Sequence, residues 1–344
     1  MADRLIYLGC YTPDSSGGGR GTGIVVYRQD TGTGELTEAG ATVPASGPSF
    51  LAWHPTGRYL YAVAERPEGA VRAYAVDGPR LTPVGVEQPT GGADPCHLSV
   101  DPTGQWLVTA NYSSGSVSVH PIGADGGLGD RTDLVQHTGS GPNAERQEGP
   151  HAHQARFDPA GRYLLVNDLG TDTVHTYLLR DGRLVEQRAA QLPAGAGPRH
   201  LAFGADDRLY VAAELGSTVT PARYQPAIGA LTFGQPVPAS GYDGTNYPSE
   251  IATSPDGRFV YVANRGANTV GTFVVEGDTV RPVGEVSTDG DWPRHLVLAG
   301  DHLYVANQNS DTVAIFRRDT ATGGLTQTGS VPVPSPACLL PALV

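Results

Sequence analysis

The sequence predicts an all-β fold: a seven-bladed β-propeller with four antiparallel strands per blade, closed by a blade built from both termini. Three observations predict it. A unit recurs at the period of propeller blades, no stretch reads as a long amphipathic helix, and the two chain ends each hold part of one further copy. Gly (46) and Pro (28) are spread along all 344 residues with Val, Tyr, Leu and Thr runs between them, the profile of short strands joined by tight turns.

The unit is a short strand, a Pro/Gly turn, and a strand ending in a small polar cluster. It begins at Ser49, Cys96, His153, Arg199, Ser249 and Arg294, for example CHLSVDPTGQWLVTANY and SEIATSPDGRFVYVANR. Turn positions align at Gly57, Gly104, Gly161, Asp207, Gly257 and Asp301. One spacing, the 57 residues between Gly104 and Gly161, stands out from the rest. Third strands are expected at 70–76, 116–122, 173–179, 218–224, 269–275 and 312–317. Fourth strands are expected to begin near Leu81, Leu128, Leu184, Leu231, Val280 and Leu325.

At the amino end, 4–11, 23–28 and 35–39 match second, third and fourth strands with no first strand before them. The missing strand is expected at the other terminus, in Pro336-Ala337-Cys338-Leu339-Leu340. Such closure leaves no open sheet edge and makes residues 1–344 one propeller domain.

Because the first strand is antiparallel to the second, its start and the end of the second share a rim. There the copies stop agreeing. The start of strand one gives Ser49, Cys96, His153, Arg199, Ser249, Arg294 and Ala337, then Phe50, His97, Gln154, His200, Glu250, His295 and Cys338. The end of strand two gives Cys10, Ala64, Asn111, Asp168, Ala213, Asn264 and Asn307, then Tyr11, Glu65, Tyr112, Leu169, Glu214, Arg265 and Gln308. Pure scaffolding would fill these places with small or apolar residues. Cations and titratable groups around one channel mouth mark an anion site instead. The alternative is that the Arg and Glu only pair between blades and the His only cap strands. The 57-residue spacing sends a long connection, 137–153, to the same rim, and long loops in compact domains are often functional.

The net charge of −12 argues against nucleic acid, which requires a concentrated basic surface. The chain contains no lysine, which excludes Schiff-base chemistry and a Walker-type phosphate loop. The opening MADRLIY has no signal-peptide pattern and no apolar run reaches membrane-spanning length, so a cytoplasmic protein is expected. Cys10, Cys96 and Cys338 form neither a disulfide framework nor a zinc knuckle by spacing.

RQEGPHAH from Arg146, the PCHLS, PRHLAF and PRHLVL strand starts, and the ANY, ANRGANTV and ANQNSDTV strand ends together resemble the lactonase family of seven-bladed propellers. That family includes the propeller-type 6-phosphogluconolactonases and a fungal carboxymuconate cyclase branch. The resemblance covers essentially the whole chain. It implies hydrolysis of a small anionic lactone, or lactone closure as in the cyclase branch, without a cofactor. By matching motifs, it implies His153 in GPHAH, Arg199 in GPRH, Glu214 in VAAEL and Arg265 in VANRG as catalytic residues. Arg294, His97, His200, His295, Asn111, Asn264, Arg146 and His151 are expected to bind substrate. Cys10 departs from the family, which more often has Thr there.

Glu214 is the expected general base ahead of His153, since a neighbouring Arg keeps a carboxylate ionised. A metal-dependent site is the competing reading, with Glu214, Asn111, Asn264 and Asn307 as oxygen donors or His151 and His153 as zinc ligands. Three nearby Arg oppose it, so no metal is expected. No G-x-S-x-G is present for a serine hydrolase, and the Gly17–Gly23 stretch reads as a hairpin connection. A propeller that only binds a ligand or protein is the alternative of a different class. A closed ring requires no partner, so a monomer is expected.

Overall fold

The computed structural model describes residues 3–343; Met1, Ala2 and Val344, which belong to the two ends considered above, lie outside the described residues. It contains seven sheets, each a run of antiparallel neighbours in the order first, second, third, fourth strand. Blade 1 joins the termini. Pro336–Pro341 is its first strand, Arg4–Cys10 its second, Gly23–Gln29 its third, and Leu36–Glu38 with Val43–Pro44 its outer edge. Leu8 pairs with Leu339 and Gly9 with Cys338, so the last residues of the chain close the ring. Blades 2 to 7 follow in chain order, and each first strand touches the first strand of both neighbouring blades around the central channel.

Second strands read as near-continuous buried runs, as in Phe259–Arg265, because a blade packs against another on each face. Fourth strands alternate, as in Leu325–Pro332, because one face meets solvent. The core is therefore a set of apolar wedges between blades; Ile6 and Leu8, for instance, meet Tyr304, Val313 and Leu339.

Tyrosines bolt neighbouring blades together. From a second strand, Tyr7, Tyr61, Tyr261 and Tyr304 donate to the carbonyls of Gly78, Gly126, Gly323 and Gly34 in the next blade, at 2.5, 3.0, 3.0 and 2.8 Å. A buried bond of this kind is worth roughly 0.5–1.5 kcal/mol net.

Most expected strand bounds match the structure within a residue or two. Two details differ. In blade 3, Leu128 makes only an isolated bridge to Ile122 and the fourth strand is Asp133–Gln136. A tight turn through Gly123, Asp125, Gly126 and Gly127 closes on itself there, delaying the ladder. In blade 7 the left-handed turn residue is Gly300 (φ 68°), one before Asp301, because that copy is shorter.

Candidate functional site

A recurrent backbone irregularity builds the rim. In blades 3, 4, 5, 7 and 1 the pairing slips by one residue at the start of the first strand, leaving Cys96, His153, Arg199, Arg294 and Ala337 unpaired in a bulge. A bulge re-aims the extra residue's side chain. The first aligned column is thus a column of bulged residues. A second device sets the end of strand two: the N–H of Tyr11, Glu65, Tyr112, Leu169, Glu214 and Gln308 donates to the carbonyl of a residue preceding the first strand of its blade. For Glu65 and Glu214 that residue is a glycine at φ 50° or 61°, Gly47 or Gly197.

These devices bring Arg199 and Glu214 together, the end of the strand Phe259–Arg265 adds Arg265, and the long connection adds Arg146. Glu214 is 3 % exposed and faces three guanidiniums: Arg265 Nη2 at 2.6 Å, Arg146 Nη2 at 2.7 Å and Arg199 Nε at 3.2 Å. Burial raises its proton affinity, but Arg265, Arg199 and Arg146 together overcome this and hold it at about 2. Crowding acts in reverse on Arg199, which burial and then Arg265 and Arg294 lower to about 10. Backbone carbonyls hold these cations further: Arg199 Nη1 donates to Ser249 O at 2.7 Å and Arg265 Nε to Tyr247 O at 3.1 Å. Arg265 also lies over the Trp292 ring at 5.3 Å.

Across the mouth stands a second carboxylate, Glu65. It accepts from the Tyr11 hydroxyl at 2.9 Å and from the Ser49 hydroxyl, with Arg294 Nη2 at 3.8 Å. Arg294 lies over the Tyr11 ring at 4.8 Å. Here burial wins over Arg294, Ser49 and Tyr11, and the Glu65 carboxyl is pushed above the ordinary range. A niche of about 10 Å³, lined by Ser49, Glu65, Cys96, Arg199, His200 and Arg294 among others, lies between the two halves. That is close to the space one water requires.

His153 sits on the rim with its ring edge-on to Tyr112 and His200; burial, then Arg199, drives its proton affinity well below the ordinary value. His151 stacks on Tyr112 at 4.5 Å and its Nδ1 lies 3.1 Å from the Tyr112 carbonyl. His97, His200 and His295 form a deeper layer one residue along their strands. His200 Nδ1 and His295 Nε2 both face Glu250 Oε2, at 2.9 and 3.2 Å, and Phe50 packs against the three rings. Burial keeps them uncharged, His295 being lowered to about 4. Below them a cavity of about 360 Å³, lined by Arg156, Gln154 and Glu250 among others, occupies the other half of the channel.

Asn111 and Asn264 do not join the cluster. Each is fully buried and spends its amide inside the sheets, Asn111 Nδ2 on Ser116 Oγ at 3.1 Å and Asn264 Nδ2 on Ala239 O at 3.0 Å. That is strand-end stitching by the amide nitrogens; Asn264 Oδ1 accepts from Asn246 Nδ2 at 3.2 Å, while Asn111 Oδ1 and Asn307 Oδ1 are buried without a partner. The mouth residues absent from the sequence-level candidates are Glu65, Tyr11, Ser49 and Tyr112. Their signal was present, since Glu65, Tyr11 and Tyr112 share the column of Glu214. A larger cleft of about 670 Å³ lies elsewhere, between blades 1 and 2 and lined by Asp14, Arg72 and Glu87 among others. The chemistry converges at the channel mouth instead.

Comparison with known proteins agrees with this architecture. The family model for "Lactonase, 7-bladed beta-propeller" matches residues 5–341, and the chain belongs to that family. It is 38% identical over 350 residues to the 6-phosphogluconolactonase of Bacillus subtilis (strain 168), covering 98% of both chains. It is 30% identical to the 6-phosphogluconolactonase of Formosa agariphila, covering 93% of this chain and 94% of the other. The solved periplasmic gluconolactonase of Pseudomonas aeruginosa superposes with a TM-score of 0.92 at 31% identity, over 100% of both chains. The reaction class this family defines is lactone hydrolysis. Among the described residues, no helix is long and apolar enough to cross a membrane.

Proposed function

We propose that this chain hydrolyses a sugar lactone bearing an anionic group, as a 6-phosphogluconolactonase does, at the Arg-rich mouth of its channel. The observation that carries the reading is charge convergence: Arg146, Arg199, Arg265 and Arg294 gather around two carboxylates, Glu214 and Glu65, in a chain whose net charge is −12. A cationic mouth in an acidic protein concentrates an anionic substrate. Guanidiniums match phosphate and carboxylate oxygens in pairs.

Roles follow from the environments. A carboxylate held near 2 is a weak base at neutral pH, so Glu214 is assigned to holding three guanidiniums in one orientation. Glu65 is the better proton acceptor and borders the niche of about one water. A water there loses its proton to Glu65 as its oxygen bonds to the lactone carbonyl carbon. The developing oxyanion faces Arg199 and Arg294. When the ring C–O bond breaks, Glu65 returns that proton to the departing oxygen, giving the open hydroxy acid. Arg146 and Arg265 hold the remote anion, and uncharged His153 is a hydrogen-bonding partner for the sugar.

We read the working unit as a cytoplasmic monomer, one propeller of residues 1–344, in line with three buried free thiols. Light scattering on the pure chain tests the monomer. The decisive assay compares 6-phosphogluconolactone with unphosphorylated gluconolactone, subtracting spontaneous hydrolysis. Enzymatic opening of the phosphorylated lactone is expected, with a lower kcat/KM for the other. A rate no greater than spontaneous hydrolysis on both would overturn the reading.

A further inference from the structure

We propose that His137, Asp168 and His175 form a binding site for a zinc-class divalent ion, separate from the channel mouth and situated where the long 137–151 connection is anchored to blade 4. One ligand atom from each residue lies within 4.8 Å of those of the other two. The three come from different segments. His137 follows the last strand of blade 3, Asp168 ends the second strand of blade 4 (Leu164–Asp168), and His175 lies on its third (Thr173–Arg180).

The surroundings are those of a metal site with its outer shell in place. Ligating imidazoles characteristically engage their other nitrogen with a carboxylate, a carbonyl or another polar group, which fixes ring and tautomer. His175 does this: Nδ1 lies 2.7 Å from Glu186 Oε1, and Nε2 is buried without any partner. His137 does likewise, with Nε2 at 2.9 Å from the Tyr177 hydroxyl and Nδ1 at 2.6 Å from Asp168 Oδ2. The other oxygen of Asp168, Oδ1, accepts the backbone N–H of His151 (2.8 Å) and Thr171 (3.1 Å), so Oδ2 is the one available.

Bonds of about 2.0–2.1 Å at tetrahedral angles set ligand atoms roughly 3.3 Å apart, so an ion enters as His137 and Asp168, 2.6 Å apart, part slightly and His175, within 4.8 Å of both, draws in. In that state His137 Nδ1 is a bare lone pair and Nε2–H donates to Tyr177. Two imidazoles and one carboxylate with a fourth position for water suit zinc better than calcium or magnesium. His175, 14% exposed, and Glu186, 50% exposed, provide a way in from solvent.

The test is titration of the untagged, metal-free full chain with Zn²⁺ alone against a chromophoric chelator. Wild type is expected to bind one ion per chain and to melt at higher temperature when loaded. Glu186→Gln is expected to weaken binding about 10–100-fold. His175→Ala, at the solvent edge of the cluster, should weaken it at least tenfold. Asp168→Asn serves as the second variant should His175→Ala misfold. Binding of less than one-tenth equivalent by wild type, or weakening of less than tenfold in a folded ligand variant, overturns the proposal. Because the readout is binding, it stands apart from any lactone assay.

Discussion

Glu65 and Glu214 occupy the same place in two blades and live in opposite environments. Each follows the second strand of its blade, and each donates its N–H to a left-handed glycine carbonyl, at 3.0 and 2.7 Å. Glu214 meets three guanidiniums within 3.2 Å and is held at about 2, whereas Glu65 meets two hydroxyls and one guanidinium at 3.8 Å and is raised. One repeat thus supplies two carboxylates whose proton affinities are pushed apart by neighbours alone. Such a division separates a proton carrier from a fixed charge.

The largest effect that can break this comparison is on turnover. Glu65→Gln is expected to lower kcat by roughly 10²–10⁴, the usual worth of a general base, with little change in KM. Its pH profile carries the same information. Because Glu65 acts unprotonated and its affinity is raised, wild-type kcat/KM should climb with pH through a midpoint above the ordinary carboxylate range. In Glu65→Gln that limb should vanish. A silent Glu65→Gln alongside a dead Glu214→Gln would reverse the two roles.

Glu214→Gln comes next, and its signature is stability as well as rate. A carboxyl moved from 4.5 to about 2 on folding contributes about 3 kcal/mol. The sign follows from the lowered folded value: the contribution is complete above the unfolded value and is lost as pH falls towards about 2. Urea unfolding of wild type at pH 7 and at pH 3 should therefore differ more than that of Glu214→Gln. Equal acid sensitivity in the two would remove the three-Arg account of Glu214.

The sequence carried the architecture almost entirely, because strand period, turn residues and blade repeat are local signals. The closing strand of blade 1 was legible from Pro336 to Leu340 because it resembles six other copies. The rim was legible as columns, and within them the resemblance to the lactonase family pointed to His153, Arg199, Glu214 and Arg265. What the columns did not reveal is direction. Asn111 and Asn264 align with the rim but turn into the sheets, since an amide at a strand end has backbone groups within reach. The bulges that aim His153, Arg199 and Arg294 are pairing slips, visible only once two strands are in register. Ranking Glu214 first as base came from counting one Arg nearby. Three converge, one of them from a loop whose path no local pattern specifies.

That loop residue gives the smallest expected effect and the finest test of the comparison. Arg146 is the most exposed of the three cations on Glu214, with 36 % of its side chain in solvent, against 3 % for Arg199 and 6 % for Arg265. It also donates to the Tyr112 hydroxyl at 3.2 Å and lies over the Tyr247 ring at 5.9 Å. If the Glu214 side serves substrate binding and the Glu65 side proton transfer, Arg146→Ala should raise KM for the phosphorylated lactone about tenfold. Its kcat should stay within a few-fold, because an interaction equal in ground and transition states affects KM alone. For the unphosphorylated lactone the change in KM should be smaller. A fall in kcat as large as that of Glu65→Gln would mean that the two sides are not separable, and that the loop positions the reacting groups themselves.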